Sequence, residues 1–505
     1  MKFYEVDDGL CKAITGANLP VRVKVEIESG GGVEAVCESD IISATFAGLR
    51  ETAGGISSRG EVVLDNSNGK YSGGFAGPGA VVRVSFSMGD GLPYFPRFTF
   101  RIDDRGIQDI RGPGRERRAR IGLRDFSWRL RGADEARDWT APAVFAYTVV
   151  CDCAQPDTSL VHLIAKRADI NVEDIRCSTI PVGLPFARLR DNVWRELSSL
   201  AVAYRCHLEC GADGKLEFFN SPYQAEPVID DGVSHIFEGA DIHGLRTTDR
   251  ADLYRNTVRL KVNMPVSLSR REIWRYDQPP VIYDEQGRPR FPFGAGYARE
   301  IERGRHAAAY SALDDGGEKR PVVYADEVDD KTLAESRLEY AGGPFTFSLY
   351  DVDSSFDKAF LTMDKGAGGY LFSASIHGRP IVLDLNRSCF LRDEASVAAN
   401  GTLAVNATGR YFSEHDIGGG TLHYVDWTRR ELALLSQRRR EFTVRTHQAL
   451  FNARVGARVK IRAGGKEAAG ALSAFSLFYK RDAAFVSTFR VMEILETTLP
   501  TGEGR

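Results

Sequence analysis

The sequence predicts a mainly β protein with α+β insertions. Apolar and polar residues alternate with period two through most of the first 130 residues and again from about 440 onward, the signature of half-buried strands. Clusters of turn-forming residues interrupt that alternation at short intervals. The composition agrees: 50 glycines and 10% aromatics, with only five methionines.

The N-terminal part reads as a barrel or sandwich of short strands without helices. Val21, Val23, Val25 and Ile27 alternate with Arg22, Lys24 and Glu26. Gly30-Gly31-Gly32 breaks that strand, and Val33 to Glu38 returns as its hairpin partner. Ile42, Ala44 and Phe46 alternate next. Glu61 to Leu64 leads into the turn cluster Asp65-Asn66-Ser67-Asn68-Gly69. Ala80 to Phe86 and Arg97 to Ile102 are further strands.

Arg111, Arg115, Arg117, Arg118, Arg120, Arg124, Arg129 and Arg131 crowd the next stretch. Such a run could bind phosphate. The surrounding chain is not basic, so the reading adopted is a solvated or subunit-facing strand pair over buried Ile121, Leu123, Phe126, Trp128 and Leu130.

The middle switches to helical spacing. Asp157 is a suitable N-cap for Thr158 to Ala168. Asp191 opens a second helix with Val193, Trp194, Leu197, Leu200, Ala201 and Tyr204 on one stripe. A β-hairpin follows, Arg205 to Cys210 and Lys215 to Asn220 around Gly211-Ala-Asp-Gly214. Leu253 to Val262 restarts β structure. Thr332 to Tyr340 is expected to be a short helix, and Phe345 to Tyr350, Tyr370 to Ile376, Pro380 to Leu385 and Leu403 to Ala407 strands. Asp426 to Arg440 reads as a helix with an arginine-rich last turn suited to its dipole. Glu441 to Thr446, Arg458 to Arg462, Ala471 to Phe478 and Ser487 to Ile494 are strands.

A chain of 505 residues accommodates three or four domains at about 150 residues each. Net charge is -3, with 43% apolar and 27% charged residues, so no global footprint for nucleic acid or membrane exists. No segment has signal-peptide character, and none approaches the roughly 18 apolar residues of a spanning helix. The expectation is a soluble protein folded in a cytoplasm. The eight cysteines are too sparse for a disulfide scaffold and are read as mostly reduced thiols.

Candidate chemistry is thin. Cys206-His207-Leu-Glu209-Cys210 suggests metal, but an extended strand separates its thiols by roughly 13 Å, too far for one ion at about 2.3 Å per Zn–S bond. His207 would also face away from both thiols, and a zinc deaminase would need a Pro-Cys-x-x-Cys element that is missing. Cys151-Asp152-Cys153 places two thiols about 7 Å apart on one strand face, slightly beyond disulfide range. Asp65 to Gly69 breaks the calcium-loop order at Gly69 and reads as a tight turn. Asn400-Gly-Thr402 and Asn406-Ala-Thr408 match glycan acceptors without a secretory context. Nucleophile-elbow, Walker, His-Glu-x-x-His and dinucleotide patterns are absent. The expectation is therefore no catalytic, cofactor-binding or metal residues, no cofactor, and no enzymatic activity.

Five segments in order resemble the baseplate or tail-tip hub family of tailed phages, also found in prophages and gene transfer agents. They are Ile42 to Phe46 followed by Ser57 to Ser72, similar to a strand and then "LDNSDGxYS"; Phe98-Thr-Phe-Arg-Ile-Asp-Asp104, with Arg101 where glycine is frequent; Asp157 to Phe219, ending in the helix and "GKLEFF" hairpin; Leu253-Tyr-Arg-Asn-Thr-Val258; and Leu450 to Ile461, with Ala457 in an aspartate position. The resemblance covers about half the chain. It implies two tube-like β-barrel domains interleaved with smaller α+β domains, assembled as a homotrimer that joins the tail tube to a tip, spike or fibre. Partners would be tail tube or distal tail proteins and spike, fibre or tail-tip proteins. DNA would pass transiently through the lumen without sequence-specific binding, and no stable membrane insertion is expected. The location would be the virion tail, after the host bacterial cytoplasm.

The implied division is a tube-like barrel at 1–140, an α+β domain at 145–240, a β-rich region at 245–425, and a C-terminal helix and strands at 426–505, which could complete a second barrel with 250–265. Two other readings stand beside it. One is a cell-wall or polysaccharide hydrolase with its site in 270–425, motivated by Asp314-Asp315 to Asp329-Asp330. The other is a receptor-binding tail protein using Tyr283, Phe291 and Phe293.

Overall fold

A computed structural model describes residues 2–495 except 17–19, 30–31, 52–53, 73–74, 112–115, 133–142, 221–231, 278–281, 284–288, 291–303, 327, 329–337, 343–344, 351–357, 366–368, 386 and 414–421. The alternating N-terminal sequence forms β1 (Val21–Ser29), β2 (Gly32–Val36), β3 (Ile41–Arg50), β4 (Ile56–Asp65), β5 (Val81–Met88), β6 (Phe95–Arg111) and β7 (Arg117–Arg124). A helix, α1 (Asp8–Thr15), precedes them, against the expectation of strands alone. Asp7 caps it by accepting from the Gly9 N–H, and Leu10 and Ile14 reach the core.

β7 (Arg117–Arg124) leads into α2 (Ser127–Leu130), and the middle holds β8 (Val144–Cys151), α3 (Leu160–Lys166), β9 (Ile175–Cys177), β10 (Ile180–Arg188), α4 (Val193–Ala203), β11 (Cys206–Cys210) and β12 (Leu216–Asn220). Both predicted helices begin later than expected. A 3-10 turn at Pro156–Thr158 makes Ser159 the N-cap of α3. Asn192, not Asp191, caps α4, its side chain accepting from the Arg195 N–H at 3.0 Å. β13 (His235–Glu238), β14 (Ile242–Asp249) and β15 (Thr257–Val262) follow.

Among the described residues the largest sheet has 16 strands. Its main path runs β14, Arg440–Thr446, Val486–Glu493, Lys466–Lys480, β3, β4, β7, β6, β5, β1, β2. The strand Lys466–Lys480 joins the two ends of the chain, pairing with Val486–Glu493 on one side and with β3 (Ser43↔Lys480 to Leu49↔Ala474) on the other. The sheet curls over one core: Phe46 on β3 lies 5.6 Å from Phe86 on β5 and 5.4 Å from Phe98 on β6. Phe451 and Phe489 enter the same core from the C-terminal part.

A second core lies under α3 and α4 and includes Trp194, Leu197, Leu208 and Phe218. Leu260 and Val262 of β15 enter it too. β15 pairs with Ser388–Arg392 and Ala404–Gly409, so it is enclosed by two strands and does not join the C-terminal strands as expected for 250–265. A third core around Ile273 and Ile376 belongs to a six-stranded sheet built on Gly369–Asp384. Leu338–Gly342 pairs with that strand, so the last residues of the expected 332–340 helix are extended; 332–337 lie outside the described residues. Two later helices are α5 (Glu394–Asn400), unforeseen, and α6 (His423–Leu435). α6 stops before its expected arginine-rich turn, because Arg440 already opens the next strand. No helix among the described residues is long and apolar enough to cross a membrane.

Candidate functional site: a buried charged junction

The β11–β12 hairpin turns at Gly211–Gly214, with Gly214 at φ +83°. Its register places Glu209 opposite Glu217. Strand alternation then sorts the side chains. Cys206, Leu208, Leu216 and Phe218 face the core under α4, while His207, Glu209 and Glu217 lie on the other face. Two carboxylates directly opposite repel one another. Here both are nearly buried, and Arg454, from the loop after Arg440–Thr446, contacts both of them.

Three further parts of the chain close on this group. The Tyr4 hydroxyl donates to Glu209 Oε1 at 3.1 Å. The Tyr4 ring lies between two guanidiniums, 4.7 Å from Arg97 and 4.8 Å from Arg454. Arg97, on β6, donates to the Phe451 and Ala453 carbonyls at 2.7 and 2.8 Å. Thr99 donates to the Ala212 carbonyl at the hairpin tip. His207 Nε2 is 3.1 Å from Glu209 Oε2.

Burial opposes ionisation of Glu209, but His207, Arg454 and Arg97 outweigh it and hold its carboxyl at about 2. Glu217 moves the other way: burial raises it, and Glu209 pushes it further against the pull of Arg454. Burial pushes His207 down, against the pull of the Glu209 carboxylate. The charges face one another rather than solvent, and the arrangement acts as a clasp. It locks the N-terminal segment, β6, the hairpin and the 449–457 loop together.

A second buried carboxylate ties α4 to the chain after 409. Glu196 accepts from the Arg190 and Asp191 backbone N–H groups at 2.6 and 2.7 Å, from Arg410 at 3.2 Å, and from the Tyr411 hydroxyl. Asn256, in the Leu253–Val258 segment, is equally buried. It donates to the Gly401 carbonyl at 2.8 Å and accepts from the Leu403 N–H at 2.8 Å. Asn66, in the Asp65–Gly69 turn, donates to Ser72 and Asp109 and accepts from the Tyr71 N–H, while Gly69 takes φ +75°.

The arginine-rich stretch is largely paired: Arg117 with Asp109, Arg118 with Glu116, Arg120 with Glu61 and Arg131 with Glu51. Ile121, Leu123 and Leu130 are buried beneath it, with Phe126 and Trp128 half-buried; Arg115 lies outside the described residues. Asp314 accepts from the Gly316 and Glu318 N–H groups and pairs with Arg320, and Asp315 pairs with Arg271. Asp329, Asp330, Phe291 and Phe293 lie outside the described residues, as does the side chain of Tyr283.

Sequence reasoning treated the hairpin as scaffold without individual side-chain roles. The Gly211–Gly214 turn alone would set Glu209 against Leu216; the pairing with Glu217 arises because Lys215 joins the loop. Nothing local to Arg454, Arg97 or Tyr4 indicated their convergence.

No protein family model matches this sequence, and no curated protein does. Solved structures are similar to it over nearly its whole length. A tail protein from Neisseria meningitidis MC58 aligns at 11% identity and TM-score 0.48, over 94% of this chain and 97% of that one. The 43 kDa tail protein of prophage MuSo2 from Shewanella oneidensis aligns at 12% identity and TM-score 0.46, over 95% and 100%. Prophage tail protein gp18 from Listeria monocytogenes EGD-e aligns at 8% identity and TM-score 0.41, over 93% and 94%. All three are tail proteins, two of them of prophages.

Proposed function

We propose that this chain is a non-enzymatic structural subunit of a phage or prophage tail hub, three copies forming a ring between the tail tube and the tip. The buried junction carries the reading. Segments that resemble the hub family lie hundreds of residues apart, yet three of them meet there: Phe98–Asp104 through its neighbour Arg97 and through Thr99, the hairpin through Glu209 and Glu217, and Leu450–Ile461 through Arg454. A set of motifs that closes one buried clasp is a set that belongs to one fold.

The division into 1–140, 145–240, 245–425 and 426–505 is retained, with the first and last β units sharing a sheet. The shared sheet supports a ring wall, since two β units already stand edge to edge within one chain and three chains would supply six. A groove spans their joint, lined by Thr45, Ser57, Ser476 and Thr488 with Arg59, Glu61 and Arg490. A hydroxyl-rich wall of mixed charge suits a lumen that lets DNA pass without holding it. The tail tube above, spike or fibre proteins below, and residence in the virion tail after synthesis in the bacterial cytoplasm belong to the same reading. Quantitative mass spectrometry of purified particles should find about three copies per tail, as a closed cyclic trimer requires. Absence of the chain from the particle would sink it.

A further inference from the structure

Three potential metal ligands converge beside α3, and His162 reaches one of them. Cys151 ends β8, Cys153 follows it, Cys177 ends β9, and His162 lies within α3. The three sulfurs all lie within 4.8 Å of one another. His162 Nε2 is 4.0 Å from the Cys177 sulfur. Cys151 and His162 are buried, Cys177 is half-buried and Cys153 is exposed, so the cluster has a floor and an open side.

Ser159 sets the imidazole for ligation. Its Oγ lies 2.6 Å from His162 Nδ1 and accepts from the Asp152 N–H at 3.1 Å. Where Ser159 accepts from His162 as well, the ring proton lies on Nδ1 and the Nε2 lone pair is left toward the sulfurs. Metal-binding histidines are commonly oriented by such a bond from their other nitrogen.

We propose that the reduced chain binds one Zn²⁺ through Cys151, Cys153, Cys177 and His162. Three thiolates and one imidazole are a usual structural zinc set, and tetrahedral bonds of about 2.3 Å put the sulfurs about 3.8 Å apart. The structure joins Cys153 to Cys177 as a disulfide, with Cα atoms 6.6 Å apart, and leaves the other six cysteines free. The two states exclude one another. A dithiol reductant opens the bond: two electrons and two protons pass to Cys153 and Cys177, and the reductant becomes a disulfide. Zn²⁺ then displaces three thiol protons to water. The ion would pin the end of β8 to α3 and to β9, which pairs with the clasp hairpin through β12.

The test uses the full chain, produced in a reducing bacterial cytoplasm and purified under argon with a dithiol and without chelator. Elemental analysis should give about one zinc per chain. Cys153→Ser alters an exposed side chain, so the fold stays intact by circular dichroism while zinc content falls at least about ten-fold. Ser159→Ala should weaken zinc binding about 10- to 100-fold in chelator competition, and Ser159→Thr, which keeps the hydroxyl, should restore it. Cobalt in place of zinc should show thiolate charge-transfer absorption that Cys153→Ser weakens. A metal-free wild-type chain whose digest still links Cys153 to Cys177 under these conditions overturns the proposal. So does iron with visible colour in place of zinc.

Discussion

Arg454 stands between two buried carboxylates that alternate geometry forces to face each other, so its removal exposes their repulsion in a medium that cannot screen it. Arg454→Met should cost about 3–5 kcal/mol of unfolding free energy in denaturant titration, the range for stripping one partner from a buried ion pair. Adding Glu209→Gln and Glu217→Gln to that variant should recover much of the loss, because no uncompensated charge then remains. The same site has a pH signature. The Glu209 carboxyl sits at about 2 in the fold and near 4.5 when unfolded. Its stabilising contribution is therefore complete above about 4.5 and disappears as pH falls toward 2, up to about 3 kcal/mol. Glu217, raised by burial, runs in the opposite sense and offsets part of this. Glu209→Gln should flatten the acid limb of stability against pH between 4.5 and 2. An unchanged slope would mean that Glu209 is not held ionised. The hairpin itself could be read from the turn between the two glutamates, though not its register. Their cation could not, because nothing in the local sequence of Arg454 distinguishes it from the other arginines of a chain rich in ion pairs.

The joint between the N- and C-terminal β units depends on a glycine at the element scale. Gly48 on β3 pairs with Phe475 on Lys466–Lys480, and a side-chain carbon at Gly48 would come 2.5 Å from the Phe475 ring. That ring also packs 6.3 Å from Phe98. Gly48→Val should destabilise the chain by about 1–3 kcal/mol, as overpacking does. Hydrogen exchange should locate the effect: amides of β3 and of 474–480 exchange faster, while those of α4 keep their protection. Uniform acceleration everywhere would show that the joint is not a separate unit. Strand periodicity made β1 to β5 legible, yet the long strands were read short. Register shifts between Ile102 and Ile107 and between Leu472 and Ala474 break the alternation inside β6 and Lys466–Lys480. The alternation Ile42, Ala44, Phe46 breaks at its first member, where a register shift leaves Ile41 buried. α1 and α5 were missed because a helix of eight or seven residues offers barely two turns of apolar spacing. The pairing of β3 with a strand more than 400 residues away has no local signal at all. The thiol cluster was half legible: Cys151 and Cys153 were considered as a pair, but His162 and Cys177 become neighbours only when α3 folds back over β8.

For the whole molecule, the main path of the large sheet ends on two strands, β2 and β14, each with one partner among the described residues. Each carries an exposed apolar side chain, Val33 at 57% and Leu245 at 43%. Open strand edges of this kind are templates for further pairing. The two edges differ in sequence, so β14 of one copy meeting β2 of the next is a head-to-tail contact. Such a contact closes into a ring when its rotation divides a full turn, and otherwise grows into a filament. A hub requires closure at three. Sedimentation of the purified chain should therefore give three times the 55.8 kDa chain mass at assembly concentrations. Leu245→Lys places a charge on the β14 edge without touching a core residue, and should leave the circular dichroism spectrum unchanged while reducing the mass to a single chain. If the variant remains trimeric, the ring closes through other surfaces. If the wild-type chain stays monomeric, or grows without limit, the three-fold hub is wrong. In the proposed hub the clasp would fix the angle between the two β units inside each copy, and that angle would decide whether the contact between copies closes. Arg454→Met should therefore loosen the ring as well as the fold, giving a broader distribution of assembled masses under conditions where the monomer is still folded.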